Sequence, residues 1–188
     1  MISKINDTLT HSEEMQDSIE PITHTEKEVI VVGCDHRGFV LRDVIRKHLL
    51  SLNYDVMDVG THNDESCDYP NIAQSLCKEL LDGRKGILIC GSGFGMSISA
   101  NRKMGVHAVT CRTVEEVEAA RQHGDVNVLC IGSDFTSDVE TIRIIDVFLN
   151  TKFSGEERFV RRIKMIDDMY DEYDYQKMIK KNIYNNEE

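Results

Sequence analysis

The segment GILICGSGFGMSISANR, residues 86–102, sets Cys90 between an apolar run and a loop with glycines at 91, 93 and 95. Closely spaced glycines leading into a helix leave backbone N–H groups pointing outward, and the helix dipole adds partial positive charge there. Such a loop suits a developing oxyanion, and a thiol in that field ionises more readily than an ordinary one. Cys90 beside Gly91, Gly93 and Gly95 is therefore a candidate reactive thiol; the alternative is a buried cysteine that merely ends a strand. A nucleotide cradle fits less well. A dinucleotide loop wants G-x-G-x-x-G after the first strand, whereas G-x-G-x-G follows the third, and no Lys-Ser/Thr pair completes a phosphate-binding loop. Cys111 and Cys130 lack a glycine loop and read as core residues.

Other segments hold groups that could serve such a thiol. Cys34-Asp35-His36-Arg37-Gly38 joins an acid, an imidazole and a guanidinium ahead of a helix. These could bind an anion and move protons, or could cap the helix and face solvent. GTHNDESCDYP, residues 60–70, ends in Asp68-Tyr69-Pro70 and reads equally as an active-site loop or a solvent-facing one. His123, in RQHGD, stands where the chain turns toward a later strand, a place that a structural histidine can also occupy.

Positioning these segments requires strands and helices in alternation. Short β-branched or apolar runs predict strands at 28–33, 54–60, 86–90, 106–111 and 126–132. Helical spacing predicts helices over 39–52, 72–81, 96–103 and 139–149. In the first of these, Val40 and Val44 form one apolar row and Leu41, Ile45 and Leu49 another. Thr113 with Glu116, and Ser137 with Glu140, have the spacing of capping boxes, the first opening a further helix before the last strand. Five strands alternating with helices predict an α/β fold, a three-layer doubly wound domain with a five-stranded parallel sheet and right-handed crossovers. Ligands in such folds sit at the carboxyl ends of the strands, which is where Asp35, Tyr69, Cys90 and the later loops fall.

The 188 residues, 40% apolar, suffice for one domain with a sizeable core. A formal charge of −11 argues against nucleic-acid binding, which needs clustered cations, but leaves small anions possible. No apolar run is long enough for a bilayer and the start lacks a signal-peptide layout, so a soluble cytoplasmic protein is expected. The cysteines at 34, 67, 77, 90, 111 and 130 form no C-x-x-C, which disfavours a metal site or disulfide framework. Residues 1–27 read as a disordered acidic arm, 28–165 as the domain, and 166–188 as a helical extension and tail.

Taken together, GCDHRGF, ESCDYP, ILICGSGFGMSISANR, RQHGDVNVLCIGS and FLNTKFSGEERFVRRI resemble the ribose-5-phosphate isomerase B family, which includes the galactose-6-phosphate isomerase subunits. The resemblance implies a Rossmann-like domain that interconverts an aldose and a ketose sugar phosphate with no cofactor or metal, at sites shared between the subunits of a homodimer, or of a tetramer. It implies that Cys90 shuttles a proton between C1 and C2 while the Gly91–Gly95 amides hold the enediolate. Ser92 matches a hydroxyl that moves a proton between the two oxygens. Asp35 and Tyr69 match sugar-hydroxyl contacts, Asn101, in the final position of the glycine motif, is implied as a substrate-binding residue with Gly91, Gly93 and Gly95, and His36 matches a phosphate contact. His123 matches the histidine that opens the furanose ring with Asp35. With a one-residue insertion, Arg158 and Arg162 match a pair that grips phosphate from the neighbouring subunit, and their i, i+4 spacing puts both on one helix face. Three positions depart from the pattern: Gly124 replaces an asparagine, Asp134 replaces an arginine, and His107 stands where arginine is common. Asp134 is expected to weaken or reshape the phosphate pocket.

Overall fold

The computed structural model describes residues 27–80 and 83–169. The expected disordered arm, apart from Lys27, and the tail beyond 169 lie outside the described residues.

The strands are β1 (Val29–Cys34), β2 (Asp55–Asp58), β3 (Lys85–Cys90), β4 (Ala108–Thr110) and β5 (Val128–Gly132). Between and after them run α1 (Phe39–Ser51), α2 (Tyr69–Glu79), α3 (Phe94–Ala100), α4 (Val114–Gly124) and α5 (Asp138–Asn150). A further helix, α6, covers 157–169 and passes without a break through the expected domain limit at 165. All strand pairs are parallel, in the order β2-β1-β3-β5-β4.

The central strands are near-continuous apolar runs because helices cover both faces of the sheet. Alternation divides them: Ile30, Val32, Ile87, Ile89, Leu129 and Ile131 pack toward α1, α4 and α5, in one cluster with Leu41, Ile45, Val117, Ile144 and Phe148. Val31, Leu88, Cys90, Val128 and Cys130 face the other way, with Ala73 and Leu76 of α2 and Met96 and Ala100 of α3. Each fully buried large side chain in these clusters contributes roughly 1.5–3 kcal/mol of transfer free energy. In α1 it is the Leu41, Ile45, Leu49 row that meets the sheet, while Val40 is 77% exposed.

Two helices start two or three residues earlier than the periodicity predicts. α2 begins at Tyr69 rather than 72, because Pro70 falls in the first turn, where its missing N–H leaves no bond unmade. α3 begins at Phe94 and ends at Ala100, its entry set by Gly93 in the left-handed region at φ 80°. Thr113 and Ser137 cap α4 and α5 as their spacing predicts, each accepting from the amide of the glutamate three residues on. Among the described residues, no helix is long and apolar enough to cross a membrane.

Candidate active site

The sheet order reverses between β1 and β3, and a cleft opens there at the strand ends. Register builds it: Cys34 pairs with Ile89, and Cys90 pairs with Gly132. The ladder continues one step past the strands, with Asp35 N–H donating to Ile89 O (3.1 Å), Ser133 N–H to Cys90 O (2.9 Å) and Asp134 N–H to Gly91 O (3.0 Å). Asp35, Cys90 and Asp134 are thereby drawn together from distant parts of the chain. The cleft measures about 330 Å³ and is lined by Asp35, Arg37, Tyr69, Cys90, Gly91, Ser92, Gly95 and Asp134.

Cys90 is 5% exposed, and its Sγ accepts a hydrogen bond from Gly93 N–H at 3.1 Å. The sulfur is thus an acceptor for an amide of the glycine loop. Gly93 can present that amide because its φ of 80° suits glycine, and an added Cβ would meet Thr110 Cγ2 at 2.7 Å. Gly95 is required for a different reason: a Cβ there would lie 2.6 Å from the Tyr69 ring, which packs on this loop. Ser92 Oγ accepts from Phe94 N–H at 3.3 Å. Asp35 is buried, and its Oδ1 accepts from the amides of Arg37 (2.9 Å) and Gly38 (3.2 Å), so that it ties down the start of α1.

Cys90 is one of six cysteines. Burial pushes the thiols of Cys34 and Cys111 up to about 11, and raises those of Cys77 and Cys130 as well. All six are free.

His123, Arg158 and Arg162 do not line this cleft. Arg121, buried in α4, donates through Nε to Thr151 O (3.1 Å), and Gln122 O accepts from Ser154 N–H (3.1 Å). These bonds hold the 151–156 connection against the end of α4 and bring α6 alongside. His123 then stacks on Phe159 with ring centroids 4.4 Å apart, and the Arg158 guanidinium lies 4.5 Å from the same ring. Arg158 also pairs with Glu156 at 2.9 Å, and Arg162 is exposed on the same helix. Within one chain, therefore, the group around Cys90 is separate from His123 and Arg158, which meet at Phe159. Asp35 and His123 are not hydrogen-bonded to each other.

His36 is not among the residues that line the cleft, and its Nδ1 accepts from Cys67 N–H at 3.3 Å. Asn101 belongs to another place: its Nδ2 donates to Ala108 O (2.6 Å), its Oδ1 accepts from Ala108 N–H (2.9 Å), and it clips the end of α3 to β4. There it lines an apolar pocket of about 230 Å³ with His107, Gly124, Ile163 and Ile166. His107 also pairs through Nε2 with Asp167 of α6 at 3.0 Å. Two of the three departures, at 107 and 124, thus concern the seat of α6 rather than the cleft of the same chain.

Asp134 does line the cleft, and it does not stand alone. Its Oδ2 accepts from Arg37 Nη2 at 2.6 Å, and that bond holds the Arg37 pKa above its ordinary value. In the sequence Arg37 is only part of a general anion-binding cluster; the signal that singles it out is an acid at 134, which needs a counter-charge. Among the described residues no three His, Cys, Asp or Glu side chains converge as metal ligands would.

A family model described as Ribose/Galactose Isomerase matches residues 30–166. The chain belongs to the ribose/galactose isomerase family. Ribose-5-phosphate isomerase B of Escherichia coli is 38% identical over 139 residues, covering 73% of this chain and 93% of that protein. Among solved structures, ribose-5-phosphate isomerase B of Clostridium thermocellum superposes with a TM-score of 0.75 at 33% identity, covering 77% of this chain and 99% of the other. The Mycoplasma genitalium enzyme, solved with ribulose-5-phosphate bound, gives 0.73 at 37% identity, over 77% and 97% of the two chains. Like these relatives, this family member is a sugar phosphate isomerase with a Rossmann-like α/β fold.

Proposed function

We propose that the protein interconverts ribose 5-phosphate and ribulose 5-phosphate through an enediolate, with Cys90 as the base. The observation that carries this reading is the Cys90 sulfur, at the end of β3, accepting from Gly93 N–H in a cleft shared with Asp35, Tyr69 and Ser92. The carbon acid next to an aldehyde is weak, so its deprotonation needs a placed base and stabilisation of the oxyanion that forms. The Cys90 thiolate removes the C2 proton of the open-chain aldose, and the electron pair moves through C1 onto O1. Amides of the Gly91–Gly95 loop stabilise that oxygen, Ser92 passes the O2 proton to O1, and Cys90 returns its proton to C1. Asp35 and Tyr69 hold the sugar hydroxyls.

Ring opening and phosphate binding need groups that one chain's cleft lacks. We assign them to a second copy, whose His123, Arg158 and Arg162 complete the site, with His36 of the first chain near the phosphate. An exposed apolar surface beside the cleft supports such an interface: Phe94 is 50%, Ile98 69% and Phe135 60% exposed, and the Arg112 guanidinium lies over both phenyl rings. The six free thiols suit a reducing, cytoplasmic setting.

Asp134 favours one further reading, turnover of a different sugar phosphate such as a galactose, allose or tetrose phosphate. A panel of these substrates separates the two. For the mechanism, Cys90→Ala is expected to lose turnover of ribose 5-phosphate by at least about 10²-fold while still binding it. Retained turnover in that variant would sink the assignment of the base.

A further inference from the structure

The charged groups lining the cleft are Asp35, Asp134 and Arg37, so that Arg37 is the cation of this wall. A dianionic phosphate entering the cleft meets two carboxylates and one guanidinium, and the guanidinium is the group that attracts it.

The backbone of Arg37 is held from both sides. Its N–H donates to Asp35 Oδ1 at 2.9 Å, and its C=O lies 3.0 Å from Ser133 Oγ, whose single O–H is shared with Cys90 O at 3.2 Å. Arg37 is thus fixed to the strand ends that carry Cys90. Its side chain crosses over Gly91, where an added Cβ would lie 2.8 Å from Arg37 Nε and 2.9 Å from Asp134 Oδ2. The bond to Asp134 engages Nη2 alone, and the Arg37 side chain stays 55% exposed. A guanidinium has five N–H donors in a fixed fork, so the donors not used by Asp134 remain able to take two phosphate oxygens.

We propose that Arg37 is a specificity-determining residue that receives the substrate's phosphate on this wall, and that Asp134 is the positioning residue that aims its guanidinium. Asp134 then does not empty the pocket of positive charge. It holds a cation supplied by the β1 loop at the place where the β5 end faces the cleft. The inference rests on the sugar phosphate reading above, and its experiment separates the two.

Steady-state kinetics with ribose 5-phosphate would compare the parent, Arg37→Met, Arg37→Lys and the double variant Arg37→Met with Asp134→Arg. Arg37→Met is expected to raise KM at least about tenfold, with the loss falling mainly in KM rather than kcat. Arg37→Lys keeps the charge without the fork and falls between. The double variant, which returns a guanidinium from the opposite side of the pair, recovers most of the lost affinity. Inorganic phosphate, titrated calorimetrically, follows the same order and needs no turnover. If the parent converts ribose 5-phosphate and Arg37→Met leaves both KM and phosphate affinity unchanged, the role of Arg37 is overturned while the isomerase reading stands. A double variant no better than Arg37→Met would equally refute it. If the parent converts no sugar phosphate, the functional reading fails, and the phosphate titrations still decide the role of Arg37.

Discussion

Replacing Gly93 by alanine tests how the glycine loop serves Cys90. Gly93 sits at φ 80°, a conformation that costs an L-residue about 1–2 kcal/mol. Its added Cβ would also lie 2.7 Å from Thr110 Cγ2 and 3.2 Å from the Ile131 carbonyl carbon, which is backbone of the central sheet and cannot yield cheaply. Overpacking of that kind costs about 1–3 kcal/mol, for a total loss on the order of 2–5 kcal/mol. Gly105→Ala provides the control, since Gly105 has a φ of 74° but nothing within 4 Å of its added Cβ. It should show the conformational cost alone, about 1–2 kcal/mol, with activity intact. Gly93→Ala should in addition move the N–H that Cys90 Sγ accepts, lowering kcat by about 10²-fold, the scale of one lost oxyanion donor. Urea unfolding gives the stabilities and an aldose–ketose assay gives kcat. Equal stability losses for the two variants, or an unchanged kcat in Gly93→Ala, would refute the steric and catalytic roles given to this loop.

Shared sites predict that Cys90→Ala and His123→Ala chains, each inactive alone, complement one another when co-expressed: random pairing in a dimer restores about a quarter of the parent activity. No recovery would mean that Cys90 and His123 serve within one chain or not at all. The thiols of Cys34 and Cys111 predict a loss of stability in alkali. Both are held protonated in the fold up to about 11, whereas they ionise near ~9 in the unfolded chain. The folded state therefore binds more protons between those values, and stability present below about pH 9 falls as pH rises toward about 11, by on the order of 2 kcal/mol for each thiol. The urea midpoint should drop over that range and drop less in Cys34→Ala and Cys111→Ala; a slope unchanged by both substitutions would contradict the account.

Much of the fold is local in origin and was legible as such. The β-branched run at β1 and the apolar run at β3 specify strands by propensity, and Thr113 and Ser137 mark helix starts because a side-chain oxygen must satisfy an orphan amide. The glycine loop after Cys90 could be read because its spacing constrains backbone chemistry within a few residues. What escaped involved partners far apart in the chain. Arg37 and Asp134 are 97 residues apart, and neither charge has meaning until the pair is seen. Asn101, placed by motif among the substrate contacts, turns out to have its amide occupied by Ala108, a bond that exists only because β4 lies beside the end of α3. Likewise Tyr69 reads as loop, since a short helix start before Pro70 carries no periodic signal.

The sequence by itself determined the alternation of strands and helices, the α/β class, and the presence of a thiol beside a ring of amides, because each depends on contacts within one turn or one strand. Tertiary structure decided the β2-β1-β3-β5-β4 order and which of two apolar rows of α1 is buried. It also decided that Asp134, at the cleft, is paired with a guanidinium. Those outcomes follow from the register that brings the ends of β1, β3 and β5 side by side, and no local pattern encodes which strand ends will meet.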